Sequence, residues 1–546
     1  MTVADYIARF LVAKGVTHVF GFQGSAMLKL LDAMMSTGKI QYIQNFHEQA
    51  SAFAADAFAR VSGKVGVAIA TSGPGASNLV TGIASAYYDS IPVLFITGQD
   101  RRAHVLATSR SRQNGFQDMD IVSMVSGITK RAVLAETPEM LADELERCWN
   151  VAQEGRKGPA LIDVPIDLQF DIMPECPNAV TLKPQRREST SNLDIAAALD
   201  CIASSARPVV LAGGGVRLAG AVAKLRAFVS ATGLPVASSL MGVDACDLSL
   251  GFCGIYGNPV PNRVLRESDL IIACGTRFAF HQTGRNLADY APYAKVVHVD
   301  IDEGELGRVY KNAVMVKSDL CDFLDCALES MRRPDIGQWL ARIETWVESS
   351  GKAPKAFPAR FLDKLFSIMP DDAVVSADVG TNQMWVAQEF RANGRNRLLN
   401  SGGLGAMGYS LPAAIGASYS TQGPVVSVCG DGGFQMNVQE LNTLALRRNN
   451  VKVFVFNNSS LGLMRGIQKK YYDARYTGNT PSEFTCPDIR QLAAAYGLDT
   501  MRVESDADFG RIASVFADSG PWLVDVVIDE DDIALSRYER EAQPNG

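Results

Sequence analysis

Short unbroken apolar runs, each followed by a glycine-rich turn and an amphipathic stretch, recur along the whole chain. Gly66-Val67-Ala68-Ile69-Ala70 reads as a buried strand, Gly73-Pro74-Gly75 turns the chain, and a small-residue helix is predicted from Ala76 to Tyr88. Val93-Leu94-Phe95-Ile96 and Ala160-Leu161-Ile162-Asp163-Val164 predict further strands. Strands that lack polar alternation and are separated by helices predict parallel sheets covered on both faces. The rhythm breaks at Pro174-Glu175-Cys176-Pro177 and the polar run from Lys183 to Ser189, which predict a linker. It restarts with Val209-Val210-Leu211-Ala212 before Gly213-Gly214-Gly215, then Leu270-Ile271-Ile272-Ala273 before Gly275, then Val296 to Asp300. A charged helical stretch from Met331 to Lys355 predicts a second connector. Ala373-Val374-Val375-Ser376, Val425 to Cys429 and Val451 to Phe456 build a third block. The pattern predicts three βαβ-rich blocks of similar size.

Composition narrows the options. Over 546 residues, 47% are hydrophobic and 20% charged, values of a well-packed globular protein and not of a disordered one. A dispersed net charge of −7 lacks the basic footprint of a nucleic-acid binder. No apolar run reaches the ~18 residues of a membrane span, and Met1-Thr2-Val3-Ala4-Asp5-Tyr6 carries an acid where a secretory signal would be apolar. The ten cysteines form no Cys-x-x-Cys pair, with Cys321 and Cys326 the nearest neighbours, which predicts reduced thiols and a cytoplasmic protein.

Chemistry gathers at strand ends. The run Val425 to Cys429 leads into Gly430-Asp431-Gly432-Gly433, and Val451 to Phe456 ends in Asn457-Asn458, 27 residues beyond Asp431. Ligands of parallel sheets bind beyond the carboxyl ends of the strands. A carboxylate and an amide oxygen on consecutive strand ends, with glycines that admit an anion, suit Mg²⁺ bound partly through phosphate. A lone Gly-Asp-Gly is more often a turn; the strand ends and the paired asparagines weigh against that.

Gly430-Asp431-Gly432, its spacing and the Asn pair resemble the diphosphate-binding motif of thiamine-diphosphate enzymes. Ser401-Gly402-Gly403-Leu404-Gly405-Ala406-Met407-Gly408-Tyr409-Ser410-Leu411-Pro412 and Ser72-Gly73-Pro74-Gly75-Ala76-Ser77-Asn78 bring the resemblance closest to the acetolactate synthase group. It implies an α/β fold of three parallel six-stranded-type sheets: a pyrimidine-binding domain over 1–175, a central FAD-binding-like domain over 190–335 and a diphosphate- and Mg²⁺-binding domain over 355–546. By this resemblance Asp431, Asn458 and the carbonyl of Ser460 hold the metal, and Gly430, Gly432 and Gly433 line the diphosphate. Glu48, in Phe46-His47-Glu48-Gln49-Ala50, activates the aminopyrimidine, with Phe46 and Phe53 as walls. Met407 wedges thiamine diphosphate into a bent shape, and Gly405 and Met407 anchor the pyrimidine through their backbones. Thr381 and Asn382 replace the group's usual Gln-His beside the diphosphate. Glu48 and Asp431 belong to sites shared between subunits in the family, which implies at least a homodimer, with dimers pairing into a tetramer as the larger option.

The glycine triplet at 213–215 lacks the dinucleotide fingerprint, so spacing alone leaves a tight turn as an equal reading. Resemblance assigns flavin contacts to Arg156, Gly214, Gly215, Ser239, Leu240, Arg277, Asp300, Ile301 and Asp319, and implies bound FAD without a net redox role. The reaction implied is decarboxylation of pyruvate followed by acetyl transfer. No adjacent histidines occur in the chain, which disfavours simple aldehyde release.

Acetolactate synthases hold a second 2-oxo acid with an arginine and a tryptophan and carry a channel lysine. Here the corresponding strings read Arg277-Phe278-Ala279-Phe280-His281, Ile467 and Val164-Pro165-Ile166-Asp167. A carboxylate acceptor loses its charge-assisted partner, so Phe280, His281, Ile166 and Ile467 point to an uncharged or larger acceptor. Neutral drift in a tolerant channel is the competing explanation. Phe20-Gly21-Phe22-Gln23-Gly24-Ser25 is similar to the YerE-like branch of acetyl-transferring carboligases in lipopolysaccharide sugar pathways. That branch acts on nucleotide-linked keto-deoxysugars, and Gly24, Ser25, Phe116 and Gln117 would line its reacting centre. The expected activity is therefore acetyl transfer from pyruvate to a ketone or aldehyde. Acetolactate synthase itself is the alternative, and a catalytically retired homologue is a third, disfavoured by intact Glu48, Asp431, Asn458 and Met407.

Overall fold

The computed structural model describes residues 1–107, 111–174, 192–350 and 354–541. Three six-stranded sheets follow one another along the chain, and every strand pair is parallel. The first holds β1 (His18–Phe22), β2 (Gln41–Gln44), β3 (Gly66–Ala70), β4 (Val93–Gln99), β5 (Arg131–Leu134) and β6 (Ala160–Pro165), in the order β2-β1-β3-β4-β6-β5. The second holds β7 (Pro208–Ala212), β8 (Val236–Ser238), β9 (Ser249–Phe252), β10 (Leu270–Cys274), β11 (Lys295–Asp300) and β12 (Val314–Lys317), in the order β12-β11-β10-β7-β8-β9. The third holds β13 (Val374–Ala377), β14 (Arg397–Asn400), β15 (Val425–Gly430), β16 (Val451–Asn457), β17 (Asp499–Val503) and β18 (Trp522–Val527), in the order β14-β13-β15-β16-β18-β17.

The first and third sheets thus share one topology, whereas the second, read from β9, has the 3-2-1-4-5-6 order of a dinucleotide-binding sheet. In each, strand order reverses beside the first strand. Ligand crevices are expected outside the carboxyl ends at that point, between β1 and β3, β7 and β10, and β13 and β15. The central strands β3, β4, β7 and β10 are buried along their whole length, as their continuous apolar runs predict.

Two predicted elements differ. The stretch Ala76 to Tyr88 is two helices, Pro74–Asn78 and Val80–Asp89, meeting at Leu79. The predicted connector contains the helix Gly337–Ser350, which docks on the second sheet. Trp339, Ile343 and Trp346 share one face and are buried, and Trp339 Nε1 donates to the Pro208 carbonyl at 3.1 Å. Their helical spacing supplies an apolar stripe that charge count alone concealed. The linker read around Lys183–Ser189 lies outside the described residues. Among the described residues, no helix is long and apolar enough to cross a membrane.

The helix Glu48–Ser62 joins the first and third sheets. His47 Nδ1 caps it by accepting from Gln49 N, and Gly63 closes it at φ 73°. Ala52, Ala54, Ala55 and Phe58 pack into the first domain's core. Phe53 and Ala57 pack with Tyr409, Leu411, Ala413 and Ile415 of the third. The helix Ser410–Ser418 approaches so closely that a Cβ on Gly416 would stand 2.0 Å from the Ala54 carbonyl oxygen. A Gly416→Val substitution is expected to cost about 1–3 kcal/mol or more through overpacking, read as a lowered midpoint in urea unfolding.

Candidate functional site

The carboxyl ends of the first sheet hold one cluster. Gly24 follows β1, and Thr71 and Gly73-Pro74-Gly75 follow β3. Ala26 N, next to Ser25, donates to Thr71 Oγ1 at 3.3 Å. Glu48, the first residue of its helix and 6% exposed, benefits there from the positive end of the helix dipole. Its Oε2 accepts from Asn78 Nδ2 at 2.9 Å, and its Oε1 stands 3.1 Å from where a Gly75 Cβ would be. A Cβ on Gly73 would stand 2.9 Å from Gln117 Cβ, so the Gln117 loop packs directly on this turn. Gln117 adopts φ 62°, a left-handed conformation unusual for its residue type. Phe116 beside it is 82% exposed. Glu48, Gly24, Ser25 and Gln117 are thus collected at one sheet end. Phe46 packs on Phe22, but Phe53, expected beside Glu48, packs edge-on to Tyr409 at 5.3 Å, because its helix position faces the third domain.

The third sheet's ends hold the second cluster. Asp431 follows β15 and is 1% exposed; its Oδ1 accepts from Gly432 N at 2.8 Å, while its Oδ2 is buried without a hydrogen-bond partner. Burial pushes its carboxyl up to about 7, and the Gly432 N–H offsets part of that cost. Asn458 follows β16, and its Oδ1 accepts from Ser460 N at 3.2 Å. The turn between them places Ser459 at φ 48°. Asn382 Nδ2 donates to the Asp378 carbonyl at 2.7 Å, and its Oδ1 lies near Gly430. Thr381 lies near Gly462. A Cβ on Gly432 would meet Leu461 Cδ2 at 2.5 Å and the Met407 methyl at 3.3 Å, so Met407 reaches over the Asp431 loop.

The orphaned carboxylate oxygen tests whether a cation fits. An uncompensated buried carboxylate is costly, and among the described residues no cluster of three histidine, cysteine or acidic side chains surrounds it. A hard cation taking one carboxylate, one amide oxygen, a carbonyl and phosphate oxygens matches this donor set.

Two supports were not anticipated. Asp378, at the end of β13, accepts from Val379 N and Gly408 N through Oδ1 at 3.0 and 2.9 Å and from Ser410 N through Oδ2 at 2.9 Å. It anchors the segment after Met407, and burial pushes its carboxyl up to about 6. The strand-end rule that found Asp431 would have found it. Asn479 Oδ1 accepts from Leu461 N at 2.7 Å and from Ser460 Oγ at 3.4 Å, bracing the Ser460 turn. No sequence signal marks it, since its loop is joined to that turn only by folding.

Between the three sheets lies a cavity of about 1870 Å³. Its wall contains Arg156, Gly214, Gly215, Ser239, Leu240, Arg277, Asp300, Ile301 and Asp319, and it reaches His281, Gly405 and Leu463. The glycines after β7 and β10 abut, with a Gly215 Cβ only 2.6 Å from Gly275 Cα, so the tight-turn reading of 213–215 also holds. Burial pushes Asp300 up to about 6. Several polar groups on this wall are engaged. Arg156 bonds Asp302 and Glu305 at 2.8 and 3.0 Å and Ser90 at 2.9 Å. Asp319 caps the helix Leu320–Ser330 through Cys321 N. Of the four channel positions only His281 lies on this wall; Phe280 is 55% exposed, Ile467 is 37% exposed, and Ile166 lies just past the end of β6.

Family models cover most of this arrangement. Residues 1–124 match the thiamine pyrophosphate enzyme N-terminal TPP binding domain, 195–326 the central domain and 378–526 the C-terminal TPP binding domain. Relatives include the acetolactate synthase isozyme 2 large subunit of Escherichia coli, 35% identical across 97% of this chain and 96% of that protein. The acetolactate synthase large subunit of Parasynechococcus marenigrum is 38% identical across 94% and 85%. That of Lactococcus lactis is 35% identical across 97% and 93%.

Replacing Asp378 by Asn removes the anion that gathers three backbone N–H groups. The expected loss is about 1.5–3 kcal/mol of stability, the worth of hydrogen bonds to a charged group, measured by chemical denaturation.

Proposed function

The chain belongs to the thiamine pyrophosphate enzyme family, and from that premise we propose that it decarboxylates pyruvate and transfers the acetyl unit to a ketone or aldehyde, a nucleotide-linked keto-deoxysugar being the best-matched acceptor. It is a carbon–carbon bond-forming enzyme dependent on thiamine diphosphate. The observation that carries the reading is the pairing of a buried Glu48 on one sheet end with an unsatisfied, buried Asp431 oxygen on another.

Asp431, Asn458 and the Ser460 carbonyl are the residues that would hold Mg²⁺, with Gly430, Gly432, Gly433, Thr381 and Asn382 around the diphosphate. When bound, thiamine diphosphate supplies an acidic ring carbon and an electron sink for decarboxylation. Glu48, steadied by Asn78, would exchange a proton with the aminopyrimidine. Met407, which reaches over the Asp431 loop, would set the ring angle, and the Gly405 backbone would meet the pyrimidine. Gly24, Ser25, Phe116 and Gln117 would line the reacting centre. By the family resemblance the complete site is assigned to two protomers, Glu48 from one and Asp431 from the other. Domain limits of 1–175, 190–335 and 355–546 are proposed on the same resemblance, with the helix Gly337–Ser350 packed on the central sheet.

FAD is proposed for the large cavity. Support comes from its volume, its place at the ends of a sheet in dinucleotide-binding order, and the nine expected contacts on its wall. Its role is structural, since acetyl transfer passes no electrons to it.

The acceptor assignment rests on Ile166, Ile467 and His281 standing where acetolactate synthases carry cationic and aromatic partners for a second carboxylate. The names of the relatives favour the second reading, acetolactate synthase itself. Enzyme with thiamine diphosphate, Mg²⁺ and pyruvate decides between them. Slow acetolactate that gives way to a mixed adduct when a ketone or nucleotide-linked keto-sugar is added supports acetyl transfer. Fast stoichiometric acetolactate from pyruvate alone favours the second, and absence of CO₂ release rejects both.

Glu48→Gln is expected to retain cofactor and lose about 100-fold or more in kcat, the range of a lost proton-transfer group, measured under saturating cofactor. Asp431→Ala is expected to weaken cofactor and Mg²⁺ retention roughly 10–100-fold, as for loss of a charged ligand contact, measured by calorimetric titration.

A further inference from the structure

A buried ionic chain crosses from the first domain to the segment that carries Gly405 and Met407. Arg60, on the last turn of the helix that starts at Glu48, sets its Nε 2.7 Å from Asp56 Oδ1 and its Nη2 3.2 Å from Asp56 Oδ2. The same Nη2 lies 2.8 Å from Asp89 Oδ2. The side chains of Arg60, Asp56 and Asp89 are 7%, 0% and 1% exposed. Both carboxylates then reach across the seam. Asp89 Oδ1 accepts from Gly403 N at 2.7 Å and its Oδ2 from Gly402 N at 3.2 Å, while Asp56 Oδ1 accepts from the Tyr409 hydroxyl at 3.0 Å. Ser85 Oγ meets Ser401 Oγ at 3.1 Å. The segment 401–409 is therefore pinned near both ends by the first domain. Its middle is free of these contacts, with Gly405 exposed at φ 73° and Met407 reaching over the Asp431 loop.

We propose that Asp56, Arg60 and Asp89 are positioning residues that set the placement of Gly405 and Met407 toward the cofactor. This inference rests on the reading of the site given above. Generic adhesion between domains does not require such groups: apolar residues of similar volume hold a seam at least as well as a buried ion pair. What the carboxylates add is direction, because each N–H and O–H they accept fixes one backbone or ring position. The guanidinium makes the arrangement rigid by bonding both carboxylates at once, a geometry a lysine does not reproduce.

The experiment uses the full-length protein with and without thiamine diphosphate and Mg²⁺. Asp89→Asn leaves Arg60 balanced by Asp56 and withdraws one acceptor from the Gly402–Gly403 amides. The expected result is at least a ten-fold faster amide hydrogen exchange confined to 401–409, an altered near-ultraviolet dichroism of the bound cofactor, and a kcat lowered about ten-fold at saturating cofactor. Half-saturation for pyruvate is expected to stay close to wild type, and the melting temperature to fall only by the few degrees that a lost charged hydrogen bond costs. Tyr409→Phe removes a single hydroxyl and is expected to move the same readouts in the same direction by a smaller factor; it decides the matter if Asp89→Asn does not fold. Arg60→Lys is expected to recover charge but not the dichroism. Unaltered exchange in 401–409, or wild-type dichroism and kcat in a folded Asp89→Asn, overturns the positioning role alone. A wild-type protein that shows no cofactor dichroism overturns the reading of the site beneath it.

Discussion

The close approach of two helix backbones across the seam between the first and third domains governs the rest of the molecule. The helices Glu48–Ser62 and Ser410–Ser418 come so near that only glycine fits at position 416, and alanines fill most of the first helix's inward faces. Small residues make the contact possible, and its closeness makes the relative placement of the two sheets stiff. A polar contact reinforces it beside Glu48: Glu440 accepts from Asn45 Nδ2 at 2.9 Å and from Phe46 N at 2.8 Å, one turn before the Glu48 helix begins. Burial pushes Glu440 up to about 7 and its hydrogen bonds hold part of that back. The proposed activating acid is therefore anchored from the third domain while its own carboxylate bonds within the first.

One topological rule then places the chemistry. Where strand order reverses, adjacent strand ends diverge and leave a crevice. The first and third sheets use the same order, and each presents acids or their supports in that crevice. In the third sheet the burial that raises Asp431 and Asp378 toward neutrality is offset for Asp378 by three N–H donors. For Asp431 one oxygen is left over. That difference separates a carboxylate that organises backbone from one that has coordination capacity to spare. The middle sheet runs in a different order, and its crevice opens into the large shared cavity, where glycine turns after β7 and β10 touch. Its arginines are largely tied to acids: Arg156 joins the first domain to Asp302 and Glu305 of the second. The cavity wall is thus braced by the same charges that line it.

The apolar runs carried the architecture openly. Strands β3, β4, β6, β7, β10, β11, β13, β15 and β16 were readable because strands buried on both faces cannot hide their composition. Gly430-Asp431 and Asn457-Asn458 were readable because each directly follows such a run. The docking of Gly337–Ser350 was less so, since its three buried aromatic and aliphatic residues are diluted by charge on the exposed faces. Asp378 stood in plain view at a strand end without a glycine-rich context to draw notice. Asn479 had no signal at all.

By itself the sequence determined the three α/β blocks, the strand ends that bear Asp431 and Asn458, and membership of a family, because each is a local pattern set by burial and turn chemistry. Only the tertiary structure decided which residues meet across domains. Asp89 with Gly402 and Gly403, Asn479 with the Ser460 turn and Phe53 with Tyr409 are pairs separated along the chain. Their contacts follow from how closely the sheets and helices pack, a long-range property that no local window of residues encodes.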